Sequence, residues 1–404
     1  MKNILFITEH SPFKTCSGAN QRSFFICSAF SKFDNVDVLT LEHDMEFCIK
    51  NCSKIDINND LNENNFVKYI KQFFLIFIPP LFTIFFEYAL KFVKNVFNIK
   101  NHKLSKIVKS YIKKNKYDFI FVRTIRILIL FGIKPDKNVI LDIDDLPEQI
   151  YISKKQNLNN IFLLKYILYK LYYSICIVKY KKYTRKILNK IFVAYLPNEK
   201  QCLLLNNIVY LPNIPYIQNL DETKINNKKR LLFVGKIEYQ PNYTGIEHFL
   251  NNIFPIILEN NSDVIINIVG DINDNRKSEW QKKYKNIIVS GFVNDLISEY
   301  NNSSLVIVPV YNGGGTNIKV IEAMNLGKAC VISSFAARGF ENILENGNNI
   351  FIADNDFDFA KKVLILLENE ELKKSIGKKA KESVNDNYSF DNIFNIISKS
   401  INNI

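Results

Sequence analysis

The sequence predicts an α/β chain of two Rossmann-like domains, each a parallel sheet covered by helices on both faces. Three observations carry that expectation. Short, continuous apolar runs alternate with longer helical stretches along the chain, the pattern of strands buried on both faces by crossover helices. The alternation restarts after a polar, break-rich stretch, Leu211–Asn227 (LPNIPYIQNLDETKINN), which reads as a linker. A length of 404 residues suits two domains of roughly 150–200 residues each.

Asn3–Thr8 is the first strand candidate. Its four consecutive apolar residues before Glu9 are too few for a signal-peptide core, so the opening reads as a buried strand. Val36–Leu41, Phe119–Arg123, Val139–Ile143 and Ile191–Ala194 follow in the first half. Between them, Asn65–Lys116 reads as helical and aromatic-rich. Within it Phe73–Phe86 (FFLIFIPPLFTIFF) is the most membrane-like stretch, yet it falls short of the ~20 residues a spanning helix needs. Pro79 and Pro80 would also break it in the middle. Ser153–Lys190 carries ten basic residues and no acidic one. It is either a surface helix with a solvated lysine face or a face resting on anionic lipid. Strand candidates of the second half are Arg230–Val234, Asp263–Val269, Ile287–Ser290, Leu305–Pro309 and Ala329–Ser333.

Composition narrows the partners. The net charge of +13 suits anionic ligands: an acidic membrane surface or a phosphorylated small molecule. Nucleic acid is disfavoured, because no zinc-finger, RRM, KH or basic-zipper pattern appears. Seven scattered cysteines, none spaced C-x-x-C, argue against a disulfide framework and a zinc site, and fit a reducing, cytoplasmic compartment. No G-x-G-x-x-G follows the first strand of either domain, which disfavours a dehydrogenase.

Tyr311–Gly327, YNGGGTNIKVIEAMNLG, is the most informative segment. It follows an apolar strand. Gly313, Gly314 and Gly315 leave backbone N–H groups unshielded, so an anion can approach closely. Thr316 is placed to cap a helix whose positive end faces the same anion. Lys319 and Glu322 then lie one turn apart on one helix face. They form either an ordinary ion pair or a functional couple, Lys319 near phosphate and Glu322 accepting from ribose hydroxyls. Gly327 closes the helix.

These residues resemble the family 4 (group 1) retaining glycosyltransferases of the GT-B fold, in the subgroup with the signature G-G-G-T-x-x-K-x-x-E-A-M. The signature is matched at Gly313, Gly314, Gly315, Thr316, Lys319, Glu322, Ala323 and Met324. GFVNDL (Gly291–Leu296), IVPV (Ile307–Val310), GKACVIS (Gly327–Ser333), RGFE (Arg338–Glu341), FVGKIEYQPN (Phe233–Asn242) and IVGD (Ile268–Asp271) match in order around it. In the first half, Ser17–Arg22 after strand one resembles the family's glycine loop, with Gly18 approaching the donor. Leu211–Asn213 resembles its P-N turn.

The resemblance implies two Rossmann-like domains whose parallel sheets face a central cleft. The expected division is an acceptor-binding domain at 1–215, a nucleotide-sugar-binding domain at 216–385 and a helix, 386–404, returning to the first domain. It implies a retaining transferase that needs no metal or other cofactor, moving sugar from a nucleotide-diphosphate donor to a glycan or lipid-linked acceptor in surface-polysaccharide or glycolipid synthesis. The donor would meet Gly18, Lys236, Val293, Gly313–Thr316, Lys319 and Glu322. The basic first domain fits peripheral contact with an anionic membrane.

Two departures are visible. Relatives carry a Glu eight residues before the helix Glu, where this chain has Gly314, and a second cation six residues after the position of Lys236, where this chain has Asn242. Lys319 or Arg338 is placed to supply the missing charge. On the acceptor side, the family's D-x-H-[DN] reads Asp142-Ile143-Asp144-Asp145, with Asp144 in the place of the His. Asp144 and Asp145 can act as general base or hold a sugar hydroxyl, or they mark a turn and helix start before Pro147. The altered positions leave two other readings open: a non-catalytic GT-B subunit of a polysaccharide assembly complex, or a sugar-nucleotide epimerase.

Overall fold

In the computed structural model residues 2–14, 17–32, 35–41, 52–55, 102–156, 158, 163–203, 205, 207–216, 229–384 and 387–402 are described. The chain divides into two compact units. One comprises Met1–Lys14, Ile26–Leu196 and Cys202–Val209; the other comprises Thr15–Phe25, Pro197–Gln201 and Tyr210–Ile404.

In the first unit the strands are β1 (Asn3–Thr8), β2 (Asn35–Thr40), β3 (Cys52–Ile55), β4 (Phe119–Arg123), β5 (Val139–Asp142) and β6 (Val193–Leu196), with β7 (Ile208–Tyr210) at the boundary. They form one sheet in the order β3-β2-β1-β4-β5-β6-β7. β1 is parallel to both β2 and β4, Ile4 standing opposite Val36 and Phe119. Leu5, Ile7, Ile120, Val122 and Leu141 share the face that packs on Ile125, Leu128 and Phe131 of the helix Ile125–Phe131. Thr124 caps that helix, accepting a hydrogen bond from the Ile127 amide.

The second unit holds β8 (Arg230–Val234), β9 (Ile265–Val269), β10 (Ile287–Gly291), β11 (Leu305–Val308), β12 (Cys330–Ser333) and β13 (Phe351–Ala353), ordered β10-β9-β8-β11-β12-β13. Every pairing in it is parallel. Leu231, Phe233, Ile266, Ile268, Leu305 and Ile307 build its core against Phe249, Phe254 and Trp280. Pro255 has no N–H to give the Asn251 carbonyl, and one π turn, Phe249–Ile253, absorbs the mismatch between the helices Gln240–His248 and Phe254–Asn260. The helix Phe390–Asn402 buries Ile393, Ile397 and Ile401, one side chain per turn.

All ten strands expected from apolar runs are present, most within one or two residues. Ile191–Ala194 is displaced to Val193–Leu196 because Ile191 still donates its amide to Ile187 at the end of the preceding helix. β3, β7 and β13, three or four residues each, escape an apolar-run criterion. All three lie at sheet edges, where one flank has no partner strand among the described residues. No described helix is long and apolar enough to cross a membrane. Phe73–Phe86 and the linker residues 217–227 lie outside the described residues, as does the 65–101 part of the long aromatic stretch.

Candidate functional site

In a parallel sheet every strand ends on the same rim, and a ligand crevice opens where the strand order reverses direction. In the second unit that reversal falls between β8 and β11. Gly235 and Lys236 leave β8 there, Asp271 follows β9, Gly291 ends β10 with Val293 just beyond it, and the Tyr311–Thr316 loop follows β11.

The helix Ile318–Asn325 carries Lys319 back to the end of β8. Lys319 Nζ donates to Asn242 Oδ1 at 2.6 Å and lies 4.5 Å from the centroid of the Phe233 ring. Asn242 Nδ2 in turn donates to the Lys236 carbonyl at 2.8 Å. Gly235 makes room for the ammonium: a Cβ there would stand 2.7 Å from Nζ, and its φ of 156° is one side chains rarely adopt. Burial pushes the Lys319 ammonium down to about 7, with Glu322 pulling the other way.

Glu322 is buried, 5% exposed, and accepts a hydrogen bond from Tyr300 at 2.6 Å. Its second carboxylate oxygen has no hydrogen-bond partner among the described residues. Burial pushes its carboxyl up, opposed by the Tyr300 hydrogen bond and by Lys319. The ordinary i,i+3 ion pair does not form, since Lys319 is held by Asn242 and Glu322 by Tyr300.

The glycine loop is fixed from several sides. Gly313 has φ 123°, and a Cβ there would meet Pro241 at 2.9 Å, so a side chain would close the loop against its neighbour. Arg338 donates to the Gly313 carbonyl at 3.3 Å. Gly314 and Gly315 are half-buried beside it. Thr316 does not cap the helix: Asn317 occupies the N-cap position without a side-chain bond. The Thr316 hydroxyl accepts instead from Asn213 Nδ2 at 2.9 Å, and its carbonyl takes the Ile318 amide.

Behind Asn213 stands Arg22, 4% exposed, whose Nη1 donates to the Leu211 and Pro212 carbonyls and to Asn213 Oδ1 at 2.9–3.3 Å. A Cβ on Gly18 would lie 3.2 Å from Ile318. Gly18, the P-N turn, the glycine loop and Lys319 thus belong to one compact unit. Val293 is half-buried in the loop leading to the helix Leu296–Asn301. Lys236 is the loosest member. It pairs with Asp271 at 3.4 Å with both side chains 60% exposed, so little holds it there and a ligand can draw it away.

Asp144 and Asp145 lie in the first unit, just past the end of β5. Asp144 sits at φ 57°, and its Oδ2 receives Arg123 Nη2 at 2.6 Å. Arg123, 1% exposed, also pairs with Asp142 at 3.4 Å. The Arg123–Asp144 bond fixes the orientation of the Asp144 carboxylate. The Asp145 amide bonds the Ile143 carbonyl in a tight turn, and the following helix, Pro147–Gln156, begins on Pro147.

Sequence reasoning missed Arg123, Tyr300 and the bracing roles of Arg22 and Asn213. Arg123 had a visible signal, a charge at the end of the otherwise apolar run FIFVR. Tyr300 had none, because its partner is 22 residues away.

The fold is one that known proteins share. Residues 228–369 match the family described as "Glycosyl transferases group 1". A protein of Klebsiella pneumoniae described as an uncharacterised protein in the cps region is 26% identical over 240 residues, covering 57% of this chain and 61% of that one. The match therefore spans less than two thirds of that relative's length. Among solved structures, TarM of S. aureus superposes with a TM-score of 0.68 at 13% identity, covering 100% of this chain and 99% of TarM. WaaG, described as a glycosyltransferase involved in lipopolysaccharide biosynthesis, superposes at 0.67 with 12% identity and 99% of each chain covered. Residues 228–369 therefore form a group 1 glycosyltransferase domain, in a chain with the GT-B fold.

Proposed function

We propose that this chain is a retaining, metal-independent glycosyltransferase that moves a sugar from a nucleotide-diphosphate donor to a glycan or lipid-linked acceptor, in surface-polysaccharide or glycolipid synthesis. The observation that carries the reading is the delivery of Lys319 to Asn242 at the β8/β11 switch point, beside the Gly313 loop. Where relatives place a second cation six residues after the first, this chain has a neutral amide that holds a lysine arriving from the neighbouring helix. The cps-region relative and the lipopolysaccharide enzyme WaaG support the choice of acceptor class. The TarM complex, described as containing UDP, supports a nucleoside diphosphate as the leaving group.

In this reading the amides of Gly313–Thr316, with Lys319 and Lys236, meet the charge that develops on the departing diphosphate, a preorganised electrostatic stabilisation. Glu322 receives ribose hydroxyls on its second oxygen, and the Gly291–Leu296 loop with Val293 lies at the base. Asp144, fixed by Arg123, holds a sugar hydroxyl, and Asp145 takes the proton from the acceptor hydroxyl.

The test is a panel of UDP-, GDP-, dTDP- and CMP-sugars incubated with the purified protein and a lipid-linked acceptor, in EDTA. A glycosylated product with the donor's anomeric configuration, read by NMR, is the expected result. An inverted product removes the retaining assignment, and loss of activity in EDTA restored by Mg²⁺ removes metal independence. An epimerised donor, or an unchanged donor with every acceptor, removes the transferase reading itself. A sharper local test is Gly235→Ala, whose methyl displaces the Lys319 ammonium. Affinity for UDP should fall about tenfold, the worth of one charge-assisted hydrogen bond, with binding of the nucleoside uridine little changed.

A further inference from the structure

The helix Leu163–Leu188 in the first unit packs inward through Cys176, Thr184, Ile187 and Leu188. Its outer face is unusual. Ile167, Leu168, Leu171, Ile175 and Val178 are 39–69% exposed, and among the described residues no other helix exposes so many large apolar side chains. At 3.6 residues per turn these five fall within an arc of about 100° over three turns. The same arc then changes character, and its next two turns present Lys182, Arg185 and Lys186, all exposed, with Lys181 at the margin. Lys170 and Lys179 flank the apolar stretch, and no acidic residue occurs between Ser153 and Lys190.

We propose that this face docks the protein on an anionic lipid bilayer, the apolar stripe entering the boundary between headgroups and acyl chains and the basic turns meeting lipid phosphates. The charge pattern selects this occupant. A second copy of the chain laid on the same face would bring its own apolar stripe and basic turns, whether parallel or antiparallel, and would offer no negative charge. An anionic leaflet offers both an apolar layer and a continuous negative surface. The inference does not rest on the donor-site reading, because lipid binding is measured without any nucleotide.

The test is flotation of the full-length protein with vesicles of phosphatidylcholine alone and of phosphatidylcholine mixed with phosphatidylglycerol. The wild type should float with the anionic vesicles at low salt, stay behind with the neutral ones, and detach as salt rises. Two variants change only exposed side chains: the pair Leu171→Ser with Val178→Ser, and the pair Lys182→Glu with Lys186→Glu. Each should weaken binding about tenfold or more, since one Lys or Arg beside an anionic leaflet is worth about fivefold, while the thermal melt stays in place. Failure of the wild type to float at low salt overturns the proposal. Binding that neither pair reduces assigns lipid contact to another surface and overturns it too. A concentration-dependent dimer that both pairs abolish would give the face to a second copy. Resistance to both high salt and alkaline carbonate would replace docking by insertion.

Discussion

Lys319→Met is expected to make the protein more stable and to weaken its binding of UDP, two effects of opposite sign from one substitution. The lysine is half-buried against Phe233 and held by a neutral amide, and burial brings its ammonium down to about 7 from 10.5. Between those values the folded chain binds fewer protons at this residue than the unfolded chain does. Stability therefore rises with pH across that window, and the cost of burying the charge is felt in full below about pH 7. Replacing a buried charge by an apolar side chain of similar length should stabilise by about 1 kcal/mol or more, even with Asn242 left without its donor. For a domain of this size that is about 2–4 °C in melting temperature, shrinking as the pH is raised toward 10.

Binding runs the other way. A diphosphate favours the ammonium, so the complex takes up a proton above about pH 7, and wild-type affinity should fall by up to about tenfold per pH unit there. In Lys319→Met the affinity should be lower by about ten- to a hundredfold near neutrality and nearly flat with pH above 7. Calorimetric titration of UDP across that range, paired with thermal melts, reads both effects. A variant that melts lower and keeps the wild-type pH profile would show that Lys319 is a structural lysine with no part in anion binding.

Glu322→Ala is expected to cost UDP affinity about ten- to a hundredfold, through loss of hydrogen bonds to a charged acceptor. It also leaves the Tyr300 hydroxyl without its partner at 0% exposure, a separate stability cost of about 1–3 kcal/mol. Two companions separate the causes. Tyr300→Phe removes the internal bond while keeping the carboxylate, and should bind nearly as the wild type does. Glu322→Gln still offers Tyr300 an acceptor but turns a donor toward the ribose, and should bind poorly while melting close to the wild type. Unchanged calorimetric binding in folded Glu322→Ala would end the ribose assignment.

The parts of this site that were legible in the sequence are those written locally. Strand, glycine loop and helix are consecutive from Leu305 to Gly327, so spacing alone brought Gly313, Lys319 and Glu322 forward. Gly327 is an example of a local rule obeyed: it sits at φ 66° with its amide on Met324 and the Lys328 amide on Ala323, a helix end that a Cβ would strain. What escaped was long-range. Thr316 looks like a cap from its neighbours, yet Asn213, 103 residues earlier, takes its hydroxyl. The pair Lys319 and Glu322 looks like a surface ion pair, yet Asn242 and Tyr300 separate them. The gap left by Asn242 was readable as a missing cation, but that Lys319 fills it depends on how the helix packs beside β8. On the acceptor side Arg123 changes what Asp144 can do, and only the register of β4 beside β5, Arg123 opposite Asp142, brings that about.

Calorimetric titration of UDP against uridine into the wild-type protein at pH 7 tests the central claim, that the second unit grips a nucleoside diphosphate by its phosphates. UDP should bind in the micromolar to millimolar range common for enzyme substrates. Uridine should bind at least about tenfold more weakly, because it offers nothing to the Gly313 loop, Lys319 or Lys236. Should the base not be uracil, GDP with guanosine and dTDP with thymidine must show the same gap. Equal binding of nucleoside and nucleoside diphosphate, or no binding of any diphosphate, would contradict the account.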